Sequence, residues 1–384
     1  MPLLTLYLGI YNGEKYLGSL FDQIQAQDNQ NFKILVVDNN SLNVRKEMFK
    51  EWKIKYKSNF QFVKNKVNYG GHGSLFKNID KIKTPWFCTL HQDDYYKPNH
   101  VGTIIQLISK SAQNTVGVST TMGSMSASGK TMNSKPRANW FSENLDQPGQ
   151  FLQNLRSQAF PFPAAAFKLS VFKRTEVPFH NAAFSDTEQT LKMLAHGIFV
   201  YSDKETMHYR ENPNSESHVL NDEERIIGAT IGLSRIFCSK EFEVVLNKID
   251  KHKRGLFADQ LLKALPHRIP KSSSLDILKN LALEQMITKW GYSEKIVAQL
   301  LGNNYAAQYS KQTVEVINNL SGTTIKTIKF KNRVIEDNVG ARIWFYYFNS
   351  RLFQRVKLNK KVLMNIYKIL FVVKPNHRLK NKWN

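Results

Sequence analysis

The chain has 384 residues, 42% hydrophobic and 12% aromatic, which is enough for a real core and excludes a disordered protein. A formal net charge of +23 implies polyanionic partners: nucleic acid, anionic lipid or phosphorylated small molecules. Cys88 and Cys238 are its only cysteines, which argues against a disulfide framework and fits a reducing compartment.

Met1 to Gly13 has no basic n-region and no small-residue cleavage site, so it reads as a first strand rather than a signal peptide. No run of about 18 apolar residues occurs, and the expectation is a cytoplasmic protein without a spanning helix. Leu3 to Ile10 lacks polar alternation, as a strand buried on both faces does. Asn12-Gly13 ends it, and Leu17, Leu20, Phe21 and Ile24 then recur at helical spacing. Ile34 to Val37 is a second strand, ending at Asp38-Asn39-Asn40-Ser41. A helix over about 43–57 and a third strand at Phe60 to Val63 follow. The Gly-rich loop from Asn68 to Ser74 opens another helix, to about Ile82. The apolar run Trp86 to Leu90 then leads into His91-Gln92-Asp93-Asp94. Strand and helix alternating at this spacing predict a parallel sheet with covering helices.

Gly117 to Thr121 is a candidate strand, and the polar stretch 122–149 reads as a long surface loop. Phe160 to Phe167 is apolar with small residues that permit close approach of a ligand or backbone. Ile198 to Tyr201 is strand-like. From 220 to about 320 the pattern is helical. Ile277, Leu278, Leu281, Leu283, Met286 and Ile287 are candidates for a core, and Pro266, Pro270 and Ser272 to Ser274 mark a loop. After Asp337 no acid remains, and Lys and Arg interleave with aromatics to the end. Two readings stand for this tail: docking on an anionic membrane surface, or a helix packing its aromatics on the domain.

Ligands of such sheets bind outside the carboxyl ends of the strands, where Asn12, Asp38 and Asp93 all fall. Adjacent anions such as Asp93 and Asp94 need a reason, and a hard divalent cation is one. A solvated turn is the plainer one. Ser185 and Glu188 fit a capping box, and Asp186 in the first helical turn suits either the helix dipole or a general base. His208 is a structural histidine or a second metal ligand beside Asp93, and Arg210 suits phosphate.

Taken in this order, the pieces resemble the inverting glycosyltransferases of family two. Ile10 to Leu17 is similar to that family's strand-loop-helix start, and Phe32 to Ser41 to its nucleotide-binding turn. Asn68 to Asn78 resembles its Asn-Gly loop, Gln92-Asp93-Asp94 its metal-binding stretch, and Ala164 to Phe172 the run before its acceptor loop. Ser185 through Gly197 resembles the helix that supplies the base, and Tyr209-Arg210 through Ser215 the closing motif. The resemblance covers about residues 3–218. His91 stands where the family usually has the first Asp of Asp-x-Asp, Asn39 where it often has a second Asp, and Ser185 where it often has Glu. Lys192 replaces an arginine.

The resemblance implies a GT-A type nucleotide-diphospho-sugar transferase fold, an α/β mostly parallel sheet flanked by helices, over 1–218. A helical region over 219–335 and a basic aromatic-rich tail over 336–384 follow. It implies transfer of a sugar from a nucleotide-sugar, a UDP-sugar first and dTDP-rhamnose as a rival, to an acceptor hydroxyl; the basic tail favours a glycan or lipid-linked acceptor at the inner face of the membrane. Tyr11, Asn12, Asp38, Asn39, Asn68, Gly70, Asn78, Gln92, Asp93 and Arg210 would bind the donor. Asp93 and His208 would hold Mn²⁺ or Mg²⁺, and Asp186 would be the base, with His91, Asp94 and Glu188 as further candidates. A sugar-phosphate nucleotidyltransferase is a rival, although only Lys15 supplies a charge after the first strand where such enzymes carry a basic Gly-rich loop. A non-catalytic nucleotide-sugar or glycan binding protein is another, favoured by His91, Asn39 and Ser185. Nucleic acid is not the expected partner.

Overall fold

Continuous apolar runs dictate the middle of the sheet. β1 (Leu4–Ile10), β2 (Phe32–Asp38) and β4 (Trp86–His91) are buried along nearly their whole length, and β3 (Phe60–Lys64) closes the edge. The four pair in parallel in the order β3-β2-β1-β4. This computed structural model describes residues 2–132, 145–157, 159–175, 177, 184–213, 215, 222–268, 273–290, 327–330 and 333–336. Contacts divide the chain into two units, Met1–Arg225 and Ile226–Asn384.

In the first unit, α1 (Leu17–Gln25) buries Leu17, Leu20, Phe21 and Ile24, the set its spacing predicts. The helix expected over 43–57 is shorter. A 3-10 turn at Lys46–Phe49 precedes α2 (Lys50–Tyr56), and Lys57 at φ 46° ends it. Trp52 and Tyr56 are its buried face, and Trp52 lies 5.0 Å from Phe21, ring to ring. α3 (Gly71–Asn78) follows the Gly-rich loop, and α4 (His100–Lys110) follows the short β5 (Tyr95–Tyr96).

The second half of the sheet departs from the sequence reading. β6 (Thr115–Met125) runs four residues past Thr121, and all of it is buried. β7 (Thr131–Met132) pairs with it, and α5 (Gln147–Ser157) starts inside the expected loop; 133–144 lie outside the described residues. Gly123 and Ser124 suggest a loop by composition, yet Gly123 is needed in the strand. A Cβ there would lie 2.8 Å from both Glu205 Oε2 and His208 Cδ2. β8 (Ala165–Lys168) is the small-residue segment, inserted antiparallel between β4 and β6 and followed by α6 (Leu169–Arg174). α7 (Ser185–Met193) precedes β9 (Ile198–Arg210), which runs well beyond Tyr201 because it stays in parallel register with the lengthened β6. The full order is β3-β2-β1-β4-β8-β6-β9-β5, with β7 on β6.

The second unit is helical in its described part apart from one hairpin. Its helices are α8 (Asp222–Phe237, which begins just before the division), α9 (Lys240–Asn247), α10 (Arg254–Ala264) and α11 (Ser273–Trp290). Ser239 caps α9, accepting from Phe242 N at 3.2 Å, and Leu278, Leu281, Leu283 and Met286 are buried as expected. The side chains of Ile277 and Ile287 lie outside the described set. β10 (Thr327–Phe330) and β11 (Arg333–Glu336) form an antiparallel hairpin where the sequence reading has only helix; Ile328, Val334 and Ile335 are β-branched and favour it. Among the described residues no helix is long and apolar enough to cross a membrane. The basic tail, 336–384, lies outside them except for Glu336.

Candidate active site

Strand ends bring the predicted donor residues together. Asn12 takes φ 46° at the end of β1; its N–H donates to Ser41 Oγ at 2.9 Å and its Oδ1 accepts from Leu42 N at 3.1 Å, tying the first loop to the second. Tyr11 exchanges two hydrogen bonds with the Gln92 amide: its N–H donates to Oε1 at 3.1 Å and its C=O accepts from Nε2 at 3.0 Å. Gly13 makes room for that amide, since a Cβ would fall 1.8 Å from Gln92 Oε1. Asp38 is fully buried. Its Oδ1 accepts from Ser41 N at 2.9 Å and its Oδ2 pairs with Lys64 Nζ at 3.1 Å, so its carboxylate shapes the turn from beneath.

Behind this turn four asparagines bond to one another. Asn39 Nδ2 donates to Asn68 Oδ1 at 2.6 Å and to Gly70 O at 3.1 Å, while its Oδ1 accepts from Asn65 Nδ2 at 3.0 Å and Tyr69 N at 3.1 Å. Asn78 Nδ2 donates to Asn65 Oδ1 at 3.0 Å and to Ser74 O at 3.0 Å. Asn65 is the member the sequence reading missed; no periodicity marks it. An aspartate at 39 would lose both donated bonds and turn a negative charge on two carbonyl oxygens, which gives this departure from the family pattern a physical reason.

At the end of β4 the charged groups gather. Arg210 clamps the aspartate turn: its N–H donates to Asp94 Oδ1 at 2.9 Å, its Nε to Asp93 O at 2.5 Å and its Nη1 to Ala127 O at 3.1 Å. Its guanidinium lies 5.7 Å from the Tyr16 ring centroid, a contact that sequence alone did not suggest. Asn212 Nδ2 donates to Asp93 Oδ2 at 3.1 Å. Asp94 is buried, and its Oδ2 accepts no hydrogen bond; His91 Nδ1 lies 3.6 Å from it. Burial pushes the Asp94 carboxyl well above the usual carboxylate range, against the pull of the Arg210 N–H and with the Asp93 charge adding to the rise. His91 is 43% exposed, and its N–H donates to the buried Tyr96 hydroxyl at 2.7 Å. An aspartate in its place would set a third carboxylate beside the buried Asp94 and the partly exposed Asp93.

α7 carries Asp186 and Glu188 in its first turn. The expected capping box does not form. The N-cap is Phe184, without a side-chain cap bond; Ser185 is already helical and 2% exposed, a place too enclosed for glutamate. Asp186 Oδ1 accepts from Thr187 N at 2.6 Å. Glu188 is fully buried and pairs with Lys192 Nζ at 3.4 Å, so it braces the helix. Asn154 Nδ2 bonds Thr190 Oγ1 at 2.7 Å and Gln189 Nε2 bonds Thr175 Oγ1 at 2.6 Å, fixing α7 against α5 and α6.

His208 Nε2 lies 3.0 Å from Glu205 Oε1, which Lys97 Nζ approaches at 2.5 Å. Among the described residues no group of three or more His, Cys, Asp or Glu is placed to hold a metal ion. The donor set nonetheless suits one kind of site: Mg²⁺-like cations are commonly held by one or two carboxylates together with substrate phosphates. Asp93, partly exposed at the strand end, offers such a carboxylate.

Residues 6–175 match the family model described as Glycosyl transferase family 2. The chain is 28% identical over 94 residues to a teichoic acid poly(glycerol phosphate) polymerase of Staphylococcus epidermidis, covering 24% of this chain and 13% of that protein. It is 28% identical over 109 residues to an uncharacterized glycosyltransferase of Rickettsia typhi, covering 28% of this chain and 33% of that protein. The chain thus spans a third or less of the length of these curated relatives. The crystal structure of S. aureus TarS 1-349 aligns with a TM-score of 0.53 at 14% identity, covering 88% of this chain and 96% of that one. The expected fold, a GT-A type sheet flanked by helices, holds.

Proposed function

From a glycosyl transferase family 2 region at residues 6–175, we propose that this protein moves a sugar from a nucleotide-sugar, a UDP-sugar first, to an acceptor hydroxyl with inversion. The observation that supports this best is the clamp: Arg210 holds the Asp93-Asp94 turn at the strand ends of the matched region, where an α/β sheet receives its ligand. The donor lies over Tyr11, Asn12 and the loop from Asn68 to Gly70, which Asp38, Asn39 and Asn78 hold from behind. Gln92, locked to Tyr11, fixes the distance between the two loops.

Asp186 accepts the acceptor's hydroxyl proton. The acceptor oxygen forms its bond to the anomeric carbon as the bond from that carbon to the diphosphate oxygen breaks, and the electron pair leaves with the nucleoside diphosphate. One displacement inverts the configuration. The place of Asp186 in the first turn of α7 sets its carboxylate against the positive end of the helix dipole. Arg210 fixes the turn and sets a permanent positive charge beside the leaving group. Asp93 would hold a divalent ion, Mn²⁺ or Mg²⁺, whose chemistry is to neutralise charge on the diphosphate. His208, expected as its partner ligand, bonds Glu205, which leaves Asp93 as the carboxylate that would hold the ion. The setting is assembly of a cell-surface polysaccharide or glycolipid on the cytoplasmic side, with the chain held peripherally at the membrane.

The test is turnover of a panel of nucleotide-sugars with Mn²⁺ and with chelator, reading released nucleoside diphosphate and the anomeric configuration of the product. Asp186→Asn should lower turnover by about 10²–10⁴-fold while the donor still raises the melting temperature. Unchanged turnover in both Asp186→Asn and Asp93→Ala would sink the site assignment.

A further inference from the structure

Among the described residues of the first unit, the large hydrophobic side chains left exposed are Tyr11, Leu42, Met48, Ile54, Val67 and Tyr95. Tyr11 and Tyr95 flank the cleft. The other four lie between residues 42 and 67 at the β3 edge, and two stand well out: Leu42 is 85% exposed and Ile54 65%. Single exposed apolar residues need no explanation, but a group confined to one edge does. The two loop tips are neighbours. β2 and β3 pair as far as Asp38 and Lys64, and Lys64 Nζ donates to both Ser41 O and Val44 O at 3.3 Å, so Leu42 and Val67 leave adjacent strand ends. On α2 the buried face is Trp52 and Tyr56, and helical spacing turns Lys50 and Ile54 away from it.

The same edge is basic. Arg45, Lys46, Lys50, Lys53, Lys57 and Lys66 are all exposed, and Glu47 and Glu51 are the only acids between residues 45 and 66. Apolar tips among lysines match a surface with anionic headgroups over an apolar interior. A second copy of this chain would bring the same positive charge against it, and a nucleic acid would leave Leu42 and Ile54 in water.

We propose that the β3 edge, with Leu42, Met48, Ile54 and Val67 entering the headgroup boundary and the surrounding lysines over anionic lipid, docks the protein on a membrane surface. The edge adjoins the cleft, because Leu42 N donates to Asn12 Oδ1 at 3.1 Å. Docked this way, the strand ends open next to the bilayer, within reach of a lipid-linked acceptor. Only that last step rests on the proposed function; the docking stands on the edge itself and does not require the C-terminal tail.

The experiment floats the full-length protein on vesicles of phosphatidylcholine mixed with phosphatidylglycerol, and on phosphatidylcholine alone. Wild type should float with the anionic vesicles and stay behind with the neutral ones. Leu42→Asp with Ile54→Asp, and separately Lys50→Glu with Lys53→Glu, should each lower the partition coefficient by about tenfold or more. All four side chains are exposed, so melting temperatures should not move; Leu42→Ser with Ile54→Ser is the milder version. Binding equal to wild type in both variants would overturn the proposal and assign the membrane contact to residues beyond this edge. Equal flotation on neutral vesicles would overturn it too, as would variants that lose a single-stranded oligonucleotide but keep the vesicles. The donor-induced rise in melting temperature, measured on the same samples, separates this outcome from failure of the proposed transfer activity.

Discussion

On the Asn39 side of the cleft, four asparagine side chains hold one another, and the one carboxylate, Asp38, is buried against Lys64. On the Asp93 side, two carboxylates and an imidazole crowd one turn, and the bonds that hold them come largely from Arg210 and Asn212. The first side is neutral, bonded within itself and built before any ligand arrives. The second keeps like charges together and leaves Asp94 Oδ2 without a donor, an arrangement that a cation or a hydrogen-bond donor would relieve. A fixed floor beside a charged wall is what separates positioning from chemistry in such a cleft, and substitutions on the two sides should fail differently.

The largest effect is expected where chemistry alone is removed. Asp186→Asn should cost about 10²–10⁴ in turnover with little change in melting temperature. Asn39→Ala should show the opposite: about 2–4 kcal/mol of stability lost, because Asn65, Asn68, Tyr69 N and Gly70 O lose a partner at once. Urea unfolding monitored by Trp fluorescence reads this. Asn39→Asp, the residue the family often has, should also destabilise, by about 1–3 kcal/mol, through the two lost donor bonds. If Asn39→Asp is neutral, the floor is not fixed in the way argued and the contrast between the sides fails.

An intermediate effect should come from the clamp. Arg210→Lys keeps the charge and loses the fork that spans Asp93 O and Ala127 O. The expected result is about a tenfold rise in the donor KM, worth ~1.4 kcal/mol, with a smaller fall in kcat. Equal losses in kcat and kcat/KM, with KM unmoved, would say that the guanidinium acts only in the transition state.

The two sides also differ in how far sequence could reveal them. The strand ends were legible because buried parallel strands leave continuous apolar runs and end in polar residues: Asn12, Asp38 and Asp93 stand where those runs stop. The helix start that carries Asp186 was legible, but the capping box was not, since Ser185 and Glu188 match the pattern while folding one position further into the helix. The length of β6 and β9 was hidden because Gly123 and Ser124 imitate loop composition, and only the packing of Glu205 and His208 shows why glycine is required there. Asn65 and Tyr16 could not be found at all. Their roles depend on partners 26 and 194 residues away, Asn39 and Arg210, and no local periodicity records a cross-chain hydrogen bond or a ring stacked on a guanidinium. The departures at His91, Asn39 and Ser185, which from sequence favoured a non-catalytic binding protein, each have a local reason in the fold: charge at His91, hydrogen bonding at Asn39 and enclosure at Ser185.

The smallest effect concerns acid, which acts through a histidine on each side: the buried His100 beneath the Asp93 side and His72 on α3 beside the asparagines. His100, fully buried on α4, lies 5.0 Å from the Tyr96 ring, whose hydroxyl accepts the His91 N–H. Burial pushes its pKa down to about 3. The unfolded chain titrates this imidazole near 6.5, so between about 6.5 and 3 the unfolded state binds the extra proton and stability falls as pH falls. At pH ~5.5 this residue alone should cost ~1.2 kcal/mol relative to neutral pH. His100→Leu should flatten that slope, with Thr206 keeping its bond to Thr120. His72, on α3 just past the loop from Asn68 to Gly70, is also pushed down to about 3 by burial, so His100→Leu should slow amide exchange at pH ~5 over residues 91–96 and leave 65–70 as in wild type. Equal slowing of both segments in His100→Leu would mean that acid opens the whole sheet, and the floor would lose the independence that sets it apart from the charged wall.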